Sequence, residues 1–137
     1  MSAADTQHVD QPTRRSDVSL RLPADSAYVA VLRTAAAGLA ARQDFTIDDI
    51  GDLRMAVTEA FALVQPAAEP GSDLVADFYL APFELTVRVS VDATSPVPPD
   101  RDSWAWQVIS ALTVRADVTA DEGRVAVSFT LHSGTDL

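Results

Sequence analysis

Cysteine and lysine are both missing from the 137 residues. Without cysteine there are no disulfides, thiol nucleophiles or thiolate metal ligands, which fits a reducing, cytoplasmic setting. Without lysine, a P-loop lysine, a Schiff base and a lysine general base are excluded together. All ten basic residues are arginine. Histidine is nearly absent too. His8 and His132 stand far apart, and neither has a neighbour that suggests a triad or a metal site, so both read as structural or incidental. No run of about 18 apolar residues occurs, so no membrane-spanning helix is expected. The opening MSAADTQHVDQPTRRSD lacks an apolar stretch, so no secretory signal is expected.

What is present is acid. Twenty Asp and Glu against ten Arg give a net charge of −10, a surface that repels phosphate backbones. Direct nucleic-acid binding is therefore not expected. The apolar share is 47%, ordinary for a globular protein, and the length suits one domain with its own core.

Residues 1–15 are polar and aperiodic, which reads as a disordered N-terminal tail; 16–132 reads as a single domain and 133–137 as a C-terminal tail. Alternation over 17–22 predicts a strand with Val18, Leu20 and Leu22 on one face, ended by Pro23. Asp25 or Ser26 can cap a helix to about Arg42, with an apolar set of Tyr28, Val31, Leu32, Ala35 and Leu39. Thr46 can cap a second helix, with Asp48 and Asp49 in its first turn, that stops at Pro66. Strands over 74–80 and 85–91 form a hairpin through Ala81-Pro82-Phe83-Glu84. A Pro-rich link, 95–102, leads to a third helix capped by Ser103. Two strands, 114–118 and 125–131, close the chain around Asp121-Glu122-Gly123. The order β-α-α-β-β-α-β-β predicts an α+β, two-layer sandwich: a mixed, mostly antiparallel sheet covered by helices on one face.

The second helix contains MAVTEAFALV, residues 55–64, with one acid in an apolar run. At about 100° per residue, Ile50, Leu53, Val57, Ala60, Phe61 and Val64 share one broad face, which belongs on the sheet. Met55, Glu59 and Leu63, spaced four apart, lie roughly opposite. The helix thus has a second apolar stripe with Glu59 inside it, readable as a surface Glu between two exposed apolar residues or as the lining of a pocket. Arg33 or Arg54 could pair with Glu59. Asp48, Asp49 and Asp52 cluster at the helix start, where the helix dipole alone accounts for them.

The run Asp52-Leu53-Arg54-Met55-Ala56-Val57-Thr58-Glu59-Ala60 resembles the N-box helix of the RsbW/SpoIIAB anti-sigma factor kinases, of the GHKL (Bergerat-type) ATPase superfamily. The order of elements over most of the chain is similar as well, and the likeness is greatest to the divergent actinobacterial branch. The resemblance implies a general-base role for Glu59. It places a Mg²⁺-binding Asn four residues later, where this chain has Leu63, which offers no oxygen. It places an adenine-binding Asp at Asp92, but Ala93-Thr94-Ser95 follows in place of the Asp-x-Gly-x-Gly box. The second glycine box reads Ser103-Trp104-Ala105-Trp106, and no glycine occurs from Asp92 to Trp106. Glycine is what lets backbone approach a phosphate closely. Trp104 and Trp106 cannot both face the sheet, so one lies in the former pocket or at the surface, where a Trp can anchor a protein partner.

The expected function is an anti-sigma-like regulator that sequesters an RNA polymerase sigma factor, with a degenerate ATP site and no cofactor. The resemblance also implies an anti-anti-sigma STAS-domain partner and a homodimer, and it places sigma binding around Arg33 on the first helix, with Asp48, Asp49, Asp52 and Trp104 as further candidate contacts. One alternative is an active serine/threonine kinase of a STAS protein, which would need Mg-ATP. The other is a GHKL-derived protein- or ligand-binding module with no sigma partner.

Overall fold

The computed structural model describes residues 14–134. Most of the expected N-terminal tail, and residues 135–137, lie outside the described residues. Along the chain come β1 (Val18–Pro23), α1 (Val29–Arg42), α2 (Ile47–Val64), β2 (Asp73–Ala81), β3 (Glu84–Asp92), α3 (Trp104–Leu112), β4 (Arg115–Asp121) and β5 (Arg124–His132). The five strands form one sheet in the order β1-β2-β3-β5-β4, and every neighbouring pair is antiparallel.

Strand alternation divides the sheet into two faces. Leu85, Val87, Val89 and Val91 of β3, with Val125, Val127, Phe129 and Leu131 of β5, point into the core. Leu53, Val57, Phe61 and Val64 of α2 pack on them. The opposite face is polar. The hydroxyls of Thr86 and Thr130 lie 2.8 Å apart, and Arg115 and Arg124 donate to Thr130 and Ser90. The architecture is the expected α+β sandwich, but the sheet is wholly antiparallel and not mixed, because no two neighbouring strands are joined by a parallel crossover.

Local chemistry accounts for the joints. The β2–β3 turn closes on Pro82-Phe83, with Phe83 in the left-handed region at φ 59°; the β4–β5 turn uses Glu122 and Gly123 at φ 52° and 76°, the geometry of a type I′ hairpin. α1 ends in a Schellman-type cap: Asp44 is left-handed and the Phe45 amide donates back to the Ala40 carbonyl. Ser103 caps α3 by accepting from the Trp106 amide.

The apolar set expected for the first helix is corrected. A short 3-10 turn, Ser26–Tyr28, precedes α1, and the buried stripe is Leu32, Ala36 and Ala40. Alanines at those points let α1 sit close against the core. Tyr28 and Val31 are left 40% and 47% exposed. At the chain ends, Arg14 pairs with Asp17 and donates to the Leu80 carbonyl. Ser133, placed in the expected C-terminal tail, donates through its amide to Phe83 and through its hydroxyl to Asp44.

Candidate functional site

The geometry centres on α2, flanked by α1 on one side and α3 on the other. α2 begins with a full capping box. The Thr46 hydroxyl accepts from the Asp49 amide at 3.1 Å, and the Asp49 carboxylate accepts from the Thr46 amide at 3.0 Å. The same carboxylate accepts from the Gly134 amide at 2.8 Å, so it also holds the chain beyond β5. Burial pushes the Asp49 carboxyl upward, but the hydrogen bonds from Gly134 and Thr46 outweigh it and hold the group below the usual 3.8. Asp49 is therefore committed inside the fold, whereas Asp48 is exposed and Asp52 half-exposed.

Glu59 lies mid-helix, half-buried, between exposed Met55 and partly buried Leu63. No described residue pairs with its carboxylate. Of the two arginines that could reach it, Arg33 instead donates across the α1–α2 seam to the Thr58 hydroxyl at 3.4 Å, and Thr58 donates to the Arg54 carbonyl. Thr58 and Glu59 are consecutive, so about 100° of rotation puts one on the α1 flank and the other toward α3.

The two tryptophans separate as expected. Trp106 is 7% exposed and packs in the core, while Trp104 is 77% exposed. The Arg101 guanidinium lies 5.2 Å from the Trp106 ring centre and pairs with Asp117 of β4 at 3.1 Å. The end of the Pro-rich link is thereby fixed over Trp106, and the carbonyl of Asp100 accepts from both the amide and the hydroxyl of Ser103.

Asp92 ends β3 one residue past the inward-pointing Val91. Its carboxylate accepts from Arg124 at 2.9 Å, and Arg124 also donates to Ser90 on the same polar face. The next inward side chain is Ala93, which is buried. Asp92 and Glu59 are thus on opposite sides of the sheet. Strand alternation was visible in the sequence and would have flagged this; the motif position alone did not.

No family model matches the chain. Similar sequences include the serine-protein kinase RsbW of Listeria monocytogenes serotype 4a (strain HCC23), 34% identical over 86 residues, covering 61% of this chain and 55% of that protein. The serine-protein kinase RsbW of Bacillus thuringiensis (strain Al Hakam) is 40% identical over 84 residues, covering 60% and 52%. Over about 60% of its length the chain is similar in sequence to these RsbW proteins. It spans about half the length of the curated relatives it matches.

Of the positions the resemblance singles out, Glu59 lies half-buried on α2. Leu63, where the resemblance implies a metal-binding amide, packs against the core cluster. At the position of the adenine-binding carboxylate stands Asp92, turned to the other face and paired. Ser103 and the exposed Trp104, where the resemblance implies a second glycine box, open α3. No helix among the described residues is long and apolar enough to cross a membrane.

Proposed function

We propose that this RsbW-like chain is a cytoplasmic regulator that binds and sequesters an RNA polymerase sigma factor, with its nucleotide chemistry lost. What supports the reading is that Glu59 keeps the place the resemblance gives it on α2, while Leu63 and Asp92 do not offer the ligands it implies. Leu63 supplies no oxygen to a cation that needs near-octahedral oxygen ligation. Asp92 spends its carboxylate on Arg124 away from the helix layer. These side chains do not fit Mg-ATP. Sequestration needs only surface, which those changes leave intact.

The proposed contact surface is the outward side of α1. It carries Arg33 at one margin and an uncharged hollow lined by Ala30, Val31, Thr34 and Ala35. A STAS-domain antagonist and a homodimer complete the proposed partner set.

A second reading has one observation in its favour. Glu59 is half-buried and has no described partner, which suits a general base, and the relatives are named serine-protein kinases. The two readings separate in one experiment. Tagged protein is recovered from its native cells without added nucleotide, and the retained proteins are identified. A retained sigma factor that survives Glu59→Ala supports sequestration. Phosphate transfer from Mg-ATP to a STAS protein, abolished by Glu59→Ala, overturns it in favour of the kinase. Recovery of neither partner overturns both.

A further inference from the structure

α3 carries no charged residue, and its solvent side mixes Trp104, Val108 and Ala111 with the uncharged polar Gln107 and Ser110. Trp106 and Ile109 form the buried stripe. At about 100° per residue, Trp104, Val108 and Ala111 fall on the opposite side. Trp104 and Ala111 are exposed and Val108 half-exposed. A tryptophan left 77% exposed beside a half-exposed valine, with no charge on the helix, is the kind of anchor a partner covers. The spacing of 104, 108 and 111 is that of the anchors a partner helix reads.

The margins of this face are acidic. Asp102 stands two residues before Trp104. On α2, the Arg33–Thr58 contact marks the flank facing α1; about 100° per residue turns Asp52 and Glu59 to the opposite flank, and α2 also packs against α3. None of these three carboxylates has an ion-pair partner among the described residues. The nearby cation, Arg101, is already engaged with Trp106 and Asp117. An uncharged aromatic strip bordered by free carboxylates is complementary to one kind of surface: apolar in the middle and cationic at its edges.

We propose that the outer face of α3 is a docking surface for a basic amphipathic helix of a partner protein, its apolar stripe on Trp104 and Val108 and its Arg or Lys side chains reaching Asp102, Asp52 and Glu59. A second copy of the chain is a poor occupant. It carries a net charge of −10, has no lysine, and would bring like charge to the margin. Membrane and nucleic-acid surfaces are anionic and meet the same repulsion. The surface is distinct from the α1 face and does not depend on the sigma-factor reading.

The probe is a fluorescein-labelled amphipathic peptide of Leu and Lys, titrated with the full chain and followed by anisotropy, with a Leu/Glu peptide of the same pattern as control. The expected result is saturable binding of the Leu/Lys peptide only. Trp104→Ala weakens it roughly tenfold or more, as for an interface anchor. Joint Asp52→Asn, Glu59→Gln and Asp102→Asn flattens its salt dependence, and Val31→Ala on α1 leaves it unchanged. Circular dichroism checks the fold of each variant. Equal binding by Trp104→Ala, equal binding of the Leu/Glu peptide, or no binding of the Leu/Lys peptide overturns the proposal. So does a sedimentation mass that halves in Trp104→Asp, which would assign the face to a second copy.

Discussion

The Asp92 carboxylate pairs with the Arg124 guanidinium at 2.9 Å, on the sheet face turned away from the helices. Both side chains are about half exposed, so the pair is screened by solvent and contributes little. A double-mutant cycle with Asp92→Ala and Arg124→Ala is expected to give a coupling of about 0.2–1 kcal/mol in urea unfolding. Asp92→Ala should leave the response to added Mg-ATP unchanged; a lost calorimetric signal for nucleotide would mean the carboxylate works on the other side of the sheet.

Asp49 sets a pH dependence. Its folded pKa is depressed below 3.8, so its contribution is fully present above the unfolded value and is lost as pH falls through the folded one. Asp49→Asn should therefore be less stable than wild type at neutral pH. The gap between the two urea midpoints should close as pH drops below about 3.8, into the range where the wild-type carboxyl itself protonates. Thr46→Ala, which removes the other half of the box, should cost about 1 kcal/mol at neutral pH and reduce the effect of Asp49→Asn in the double variant.

Glu59→Ala removes a carboxylate with no described partner, and its expected effect on stability is within about 0.5 kcal/mol. Leu63→Asn is different. It exchanges core-packed apolar surface for an amide and should cost about 1–2 kcal/mol without creating Mg-ATP binding by calorimetry. Tight, Mg-dependent nucleotide binding in Leu63→Asn would show that the rest of the site is still in place.

The two tryptophans should differ sharply. Trp106→Ala opens a cavity under Arg101 and is expected to cost about 3–5 kcal/mol. Trp104→Ala touches only solvent-exposed surface and should change the urea midpoint by the equivalent of about 0.5 kcal/mol or less. Equal losses would place both rings in the core.

The elements were readable because each carries its own local signal. Thr46 with Asp49, Ser103, Pro66 and the turn around Gly123 mark boundaries by chemistry that acts within a few residues. The burial of α1 was harder to read. Its sequence is apolar nearly all round, so periodicity does not choose between Tyr28-Val31-Ala35 and Leu32-Ala36-Ala40. The close approach of neighbouring elements chooses the smaller side chains. The candidate site follows the same division. The α2 motif is local and stood out at once. Alternation along β3 gives the direction of Asp92 once the strand is carried through to it, but its Arg124 partner lies 32 residues away and has no local signal. The second duty of Asp49 depends on Gly134, 85 residues away, and no local pattern announces it.

β1 and β4 are the edge strands of the sheet. β1 carries Arg21 and stops at Pro23, while β4 begins with Arg115 and carries Asp117 and Asp121. Charge and proline along an open edge discourage a foreign strand from continuing the ladder. Higher-order growth by lateral strand addition, the route to fibrils, is therefore blocked at both margins. Assembly of this chain is therefore expected to use its broad surfaces and not its sheet edges.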